Sequence, residues 1–353
     1  NIRFISASAG SGKTYQLTEE LEKSLHAGNA KPDGVIGTTF TNKAANELRE
    51  RVRQRLIQAG KINMANHMGQ ALLGTVNSVC GQLLARFAFE AGLSPDLQVL
   101  PEGEDQLFFN QSIEAAVSLP DVRLMNELAY RLELDDWRVI LKDLVSTARA
   151  NNLSPGELVK FGKRNADELL SFFPKPSRND LWAQLLVAVN RAIVEIQAND
   201  DNTKGTQNYL DDLISLQPAI REKRLTWRFW VKLSKSWPRK KSEHLAEPVV
   251  DAALQYDRHP LLHENIKGFC INLFKIAGNS LEHYQTLKQN RGLIDFVDQE
   301  QLLLTALDET SVTNVLREEL DLLLVDEFQD TSPIQLALFL KLAEVAKEAV
   351  FVG

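Results

Sequence analysis

The sequence predicts an α/β protein: a parallel sheet flanked by helices and interrupted by a large all-helical inserted domain. Three observations lead there. Near one end, Arg3-Phe4-Ile5-Ser6 gives way to a glycine-rich turn and then to a helical pattern. Near the other, the apolar run Leu322-Leu323-Leu324-Val325 stops at two acids, Asp326 and Glu327. Such a run fits a strand buried on both faces, delivering carboxylates to the carboxyl edge of a sheet, where open α/β folds bind ligands. From about residue 105 to residue 279 the pattern is helical, with no two-residue alternation and no internal repeat.

The elements follow in order. Ile2, Phe4 and Ile5 make a short strand. Gly10 and Gly12 let the backbone turn tightly and aim N–H groups inward. A helix then runs to about Leu25, its positive end facing the turn. Val35 to Phe40 is a second, buried strand, and Thr41 or Asn42 caps the helix after it. Ala44, Ala45, Leu48, Val52 and Leu56 form that helix's buried stripe. Leu72 to Val79 reads as a third strand running into a loop, followed by a helix carrying Cys80, Leu83, Leu84 and Phe87. Leu97 to Leu100 is a fourth strand. The polar segment 198–206 reads as a mobile loop. From about residue 280 the α/β pattern resumes with Leu293-Ile294-Asp295-Phe296, a helix, and the buried strand at 322–325. Ser332 caps the next helix with Pro333 in its first turn, and a last strand starts at Val350. The α/β part is thus expected over 1–104 and 280–353, and the insert over 105–279.

Composition narrows the class. The 353 residues are 44% hydrophobic and 25% charged, as in ordinary globular proteins. No run approaches 18 apolar residues, so no membrane span is expected, and the glycine-rich turn interrupts the only apolar stretch that could lead a signal peptide. The two cysteines, Cys80 and Cys270, fit no zinc spacing and point to a reducing, cytoplasmic compartment. His259 and His263 are the only closely spaced histidines, and with no acid or thiol cluster beside them no metal site is expected there. A net charge of −7 does not advertise a nucleic-acid partner, so any basic surface must be local.

One such segment exists. Residues 221–241 carry Arg221, Lys223, Arg224, Arg228, Lys232, Lys235, Arg239, Lys240 and Lys241 against the single acid Glu222, interleaved with Trp227, Phe229, Trp230 and Trp237. It reads equally as a phosphate-tracking surface and as an amphipathic helix with Trp230 and Leu233 buried beneath a solvated cationic face.

The chemistry-bearing residues sit at the two ends. Ala7-Ser8-Ala9-Gly10-Ser11-Gly12-Lys13-Thr14 follows the phosphate-cradling pattern G-x-x-x-x-G-K-[ST], with Ala7 in place of the first glycine. Lys13 can reach the β- and γ-phosphates of ATP, and the Thr14 hydroxyl can ligate Mg²⁺. Asp326 offers a hard oxygen ligand to the same ion, and Glu327 can orient and deprotonate a water. Gln329 and Asp330 extend the polar edge.

Together these motifs identify a family. The two ends, Thr39-Phe40-Thr41-Asn42-Lys43-Ala44-Ala45, Gly74-Thr75-Val76-Asn77-Ser78 and Leu293-Ile294-Asp295-Phe296 resemble superfamily 1 DNA helicases of the UvrD/Rep type, in the family's order. The Ala7–Thr14 form and Arg291-Gly292-Leu293-Ile294-Asp295-Phe296 look closest to the AddA/RecB helicase–nuclease branch. The likeness covers the α/β part well and the insert poorly. It implies a first RecA-like ATPase domain that binds and hydrolyses Mg-ATP, with Asp326 on the metal, Glu327 activating water and Gln329 sensing the γ-phosphate. It implies that Thr39, Phe40, Thr41, Asn42 and Lys43 touch single-stranded DNA, the Phe40 ring stacking on bases and its neighbours meeting phosphates. Thr75, Asn77 and Ser78 resemble a second backbone-contacting loop, although Asn77 stands where the family carries histidine.

The resemblance also implies 3′→5′ movement, junctions between single and double strands as substrates, and a nuclease module or partner subunit. The family's second RecA-like domain, with its arginine finger, is not among these 353 residues, so slow hydrolysis is expected. Two rivals remain: a P-loop subunit that uses ATP as a switch without unwinding, and a small-molecule kinase. The kinase would not need the Thr39–Ala45 or Asn77-Ser78 elements.

Overall fold

The computed structural model describes residues 2–6, 13–39, 41–93, 98–100 and 104–353, the side chains of residues 13, 14, 105 and 106 excepted. The chain forms two compact units. One comprises Asn1–Phe109, Thr147–Asn152 and Gln285–Gly353; the other comprises Asn110–Ser146 and Leu153–Tyr284.

The first unit is built on strands β1 (Ile2–Ile5), β2 (Val35–Thr39), β3 (Leu72–Thr75), β4 (Gln98–Val99), β5 (Leu293–Ile294), β6 (Leu322–Val325) and β7 (Glu348–Val352). Five of them form a parallel sheet in the order β1-β7-β6-β2-β3. The fourth strand does not join it. β4 pairs in parallel with β5 in a separate two-stranded ribbon.

Helices α1 (Lys13–Ala27), α2 (Asn42–Gln58), α3 (Ile62–His67) and α4 (Val76–Arg86) connect the first strands. Between β4 and β5 run α5 (Glu104–Ala116), α6 (Leu119–Leu132), α7 (Trp137–Ala150), α8 (Pro155–Ser171), α9 (Leu181–Gln197), α10 (Lys204–Arg221), α11 (Trp227–Leu233), α12 (Glu243–Leu254) and α13 (Pro260–Asn290). After β5 come α14 (Phe296–Ala306), α15 (Thr310–Glu319) and α16 (Pro333–Val345).

Two-residue alternation splits the sheet's side chains between two cores. Leu322 and Leu324 of β6, with Val350 and Val352 of β7, pack with Leu17, Leu21, Leu48 and Val52 of α1 and α2. Leu323 and Val325, with Ala349 and Phe351, pack on the other face with Leu83, Leu303, Leu316 and Phe339 of α4, α14, α15 and α16. All four residues of β6 are buried, which is why its sequence is continuously apolar. β1 lies at the sheet edge, with Phe4 65% exposed but edge-on to Phe328 and Phe351.

The third strand is shorter than expected. It stops at Thr75, and α4 begins at Val76, so Asn77 and Ser78 stand in a helical first turn instead of a loop. The reason is a cap: the Ser78 amide donates to the Thr75 hydroxyl at 3.3 Å.

The second unit is helical and has its own core, centred on Trp182, Trp227 and Trp230 of α9 and α11. The segment expected to be mobile is organised around Asp201, which is 2% exposed. Its carboxylate accepts from the hydroxyls of Thr206 and Ser242, both at 2.7 Å. Those donors hold its pKa well below the usual carboxylate range. His259 packs edge-on to all three tryptophans, and burial pushes its pKa down to about 4.

Candidate functional site

Two helix N-termini stand at the carboxyl edge of neighbouring strands. β2 and β3 are paired in register, with Thr39 opposite Thr75. α2 starts just beyond β2 and α4 directly after β3, so their positive ends and free first-turn N–H groups open toward the same edge. Thr41 caps α2, its hydroxyl accepting from the Ala44 amide at 3.1 Å. Thr75 does the same for α4. A hydroxyl that accepts in this way still has its own proton to donate, so both caps can meet an anion. This is the arrangement that binds phosphate at helix N-termini. Arg49 of α2 donates to the Leu73 carbonyl at 2.9 Å and so ties α2 to β3.

The acidic turn lies beside them. The Asp326 amide donates to the Thr38 carbonyl at 3.0 Å, extending the β2–β6 ladder by one rung. The next residue breaks it. Glu327 has φ 52° and ψ 42°, a left-handed conformation unusual for any side chain but glycine, asparagine or aspartate. Its amide donates to Asp326 Oδ1 at 3.0 Å. Gln329 Nε2 donates to the Glu327 carboxylate and, at 3.0 Å, to Asp330 Oδ2. A cavity of about 200 Å³ opens here, lined by Thr38, Thr39, Thr75, Asn77, Asp326, Glu327, Asp330 and Gln335 among others. Residues expected at the nucleotide and residues expected at DNA therefore line one space.

Behind the cavity stands a buried carboxyl. Glu300 of α14 is 5% exposed, and Gln335 Nε2 donates to it at 2.6 Å. Burial raises its pKa, opposed by that hydrogen bond. Gln335 is itself fixed by a reciprocal capping box with Ser332 at the start of α16.

The expected site residues fall into three groups. Thr39, Thr75, Asn77, Asp326 and Glu327 come together in this cavity, with Gln329 hydrogen-bonded to Glu327. Thr41, Asn42 and Ser78 line a neighbouring groove that shares Thr75 and Asn77, and Lys43 is exposed on the first turn of α2. Ala7, Ser8, Ala9, Gly10, Ser11, Gly12 and Phe40, with the side chains of Lys13 and Thr14, lie outside the described residues; the Lys13 backbone begins α1. Asp326, with hard carboxylate oxygens at a strand end, suits Mg²⁺ by donor chemistry.

Sequence reasoning missed Thr38, Glu300 and Gln335. Only Gln335 had a signal, the Ser-x-x-Gln spacing of a capping box. His259 packs against tryptophans and a ring nitrogen of His263 lies 2.7 Å from the Asp257 carbonyl oxygen, and among the described residues no group of three or more acids, cysteines and histidines is placed to hold a metal ion. Four of the nine cations of the basic segment pair with acids of its own unit. Lys223 pairs with Asp180, Arg224 with Glu222, Arg228 with Glu133 and Lys232 with Asp212, while Trp227, Trp230 and Leu233 are buried. The buried Trp230 and Leu233 are those the amphipathic-helix reading expects. Among the described residues, no helix is long and apolar enough to cross a membrane.

Comparison with known proteins agrees with this geometry. The chain is 23% identical over 94% of its length to the A subunit of the ATP-dependent helicase/nuclease of Staphylococcus aureus strain USA300 / TCH1516. It is 22% identical over 94% of its length to the counterpart from strain NCTC 8325 / PS 47. The chain spans 31% of the length of each relative. The family model for the UvrD/REP helicase N-terminal domain matches residues 1–353. With every described residue inside that match, the chain belongs to the UvrD/REP helicase family through its N-terminal domain.

Proposed function

We propose that these residues form the ATP-hydrolysing part of a DNA motor that moves along single-stranded DNA in the 3′→5′ direction, as the N-terminal portion of a helicase or helicase–nuclease used in DNA repair, recombination or defence. The observation that carries the reading is the cavity shared by Asp326 and Glu327 with Thr75 and Asn77. A change at the nucleotide there reaches the DNA-facing caps through a few side chains.

In this reading the α/β unit is a RecA-like domain and the helical unit an insert within it. Ala7 to Thr14 cradle the phosphates of ATP, with Lys13 on the β- and γ-phosphates. Thr14 and Asp326 would hold Mg²⁺, which when bound neutralises charge on the transferring phosphoryl group. Glu327 orients the attacking water and takes its proton. Gln329, hydrogen-bonded to Glu327, reports the state of the γ-phosphate. Thr39, Thr41, Asn42, Lys43, Thr75, Asn77 and Ser78 hold the DNA backbone, two helix N-termini supplying the positive field, and Phe40 stacks on a base.

Among the described residues lining the cavity none is arginine, so hydrolysis by the 353-residue chain is slow. The Staphylococcus aureus relatives are named as one subunit of a helicase/nuclease, which supports a nuclease module and a partner subunit; a cytoplasmic place and action at strand junctions belong to the same proposal.

The test is ATP binding and hydrolysis by the 353-residue chain with and without a single-stranded oligonucleotide. Binding of ATP, with hydrolysis slow but raised by the oligonucleotide, is the expected result. Turnover and nucleotide affinity both indifferent to DNA would overturn the reading in favour of a switch without unwinding.

A further inference from the structure

β7 ends at Val352, and the residue after it extends the β1–β7 ladder by one rung: the Gly353 amide donates to the Ile5 carbonyl at 3.1 Å. Ile5 closes β1, the strand that leads in sequence to Ala7–Thr14. Gly353 is thus tied to the strand before the phosphate-cradling motif.

The same glycine lies against the acidic turn. A Cβ on Gly353 would stand 2.8 Å from Gln329 Oε1 and 3.4 Å from the Gln329 amide nitrogen. The first distance is too short for a nonbonded carbon. Gly353 is not among the glycines at positive φ, so space and not backbone shape is what asks for glycine here. The other end of the Gln329 carboxamide is committed, since Nε2 donates to the Glu327 carboxylate and to Asp330 Oδ2. Phe328, the residue before it, stacks on Phe351 at 5.0 Å, which seats the turn on β7. With the turn seated, the part that gives way most easily to an added Cβ is the tip of the Gln329 side chain. The fold would lose little by that shift, and Glu327 would lose a hydrogen bond.

We propose that Gly353 is a positioning residue for hydrolysis. Its bare α-carbon lets the Gln329 carboxamide lie across the end of β7 and hold the Glu327 carboxylate, and its amide fastens that arrangement to β1. The proposal rests on the ATP-hydrolysing reading above. It adds a path by which the strand before the phosphate cradle fixes the residue that takes the proton from water: Ile5, Gly353, Gln329, Glu327.

The test is steady-state ATP hydrolysis with Mg²⁺ by the 353-residue chain, with thermal unfolding alongside. Gly353→Ala keeps the KM for ATP and the melting temperature and lowers kcat about tenfold, the scale of one hydrogen bond to a charged group. Gln329→Ala lowers kcat as far, and the double variant falls no further, because both changes remove the same hold on Glu327. A wild-type kcat in Gly353→Ala would overturn the positioning role and leave the ATP-hydrolysing reading standing. Losses that multiply in the double variant, or a Gly353→Ala protein without a melting transition, would make Gly353 a residue of the fold and overturn the role as well. Failure of the wild type to bind or hydrolyse ATP would overturn the ATP-hydrolysing reading and the proposal with it.

Discussion

Two strands of the first unit end in the same local signature, a short apolar run followed by aspartate and soon by phenylalanine: Leu293-Ile294-Asp295-Phe296 and Leu324-Val325-Asp326-Glu327-Phe328. Their fates differ. Asp295 is 4% exposed and consumed by structure. Its Oδ1 accepts from the Asp298 amide at 3.0 Å, and Asp298 Oδ2 accepts from the Asp295 amide at 2.9 Å, a reciprocal cap on α14. Its Oδ2 accepts from Lys288 at 2.8 Å and also pairs with Arg149. Asp326 and Glu327 are half-buried and line a cavity with polar walls. An acid after a strand is therefore no guide to chemistry by itself. What separates the two is burial and outlook: Asp295 is enclosed within its cap and ion pairs, whereas Asp326 and Glu327 stand half-buried on the wall of a cavity.

The largest effect expected from that contrast is at Glu327. Glu327→Gln keeps the turn and its hydrogen-bonding shape but cannot take a proton, so ATP hydrolysis should fall about 10²–10⁴-fold while thermal stability holds. Hydrolysis at the wild-type rate would place Glu327 with the structural acids. Lys288→Met should do the opposite. It removes the ammonium that Asp295 and Asp298 share, on a lysine only 2% exposed, and should cost about 3–5 kcal/mol of stability in denaturant unfolding. A midpoint unchanged by Lys288→Met would erase the distinction between the two sites.

The smallest effect concerns the carboxyl between them. Glu300 has a folded pKa raised above its ordinary value of 4.5, so the folded state holds its proton more tightly than the unfolded chain does. Stability linked to it is present below pH 4.5 and is lost as pH rises through the raised value. Glu300→Gln, which keeps a partner for Gln335, should raise the melting temperature at neutral pH and flatten its fall above pH 4.5. A mutant that melts lower than wild type at neutral pH would show that the charged form is the one the fold needs.

The contrast also marks what could be read in advance. β6 was legible because burial on both faces leaves an uninterrupted apolar run, and α16 because Ser332-Pro333 is a local start signal. The start of α4 was not. Thr75-Val76-Asn77-Ser78-Val79 is rich in β-branched residues and reads as strand, and only the Thr75 cap turns it to helix. The pairing of β4 with β5 joins segments on either side of the whole helical stretch, so no local pattern carries it. The basic segment left two readings open for a similar reason, since Glu133, Asp180 and Asp212, which pair with three of its cations, lie outside it in sequence. At the site itself, the acids and the Thr41 cap were legible, whereas Glu300 depends on what α14 packs against.

The left-handed backbone at Glu327 has a consequence of parity. Along β6, even-numbered side chains enter the core with α1 and α2, and odd-numbered ones enter the core with α4 and α16. Continued in a regular strand, Asp326 and Glu327 would point to opposite sides of the sheet. One residue at φ 52° cancels that alternation, and both acids line the same cavity. In the mechanism proposed above, this break lets two consecutive carboxylates face one space, one toward the ion and one toward the water. Glycine would adopt this backbone more easily and bring no acid, so the conformational penalty falls on the residue to which the proposed mechanism gives the water.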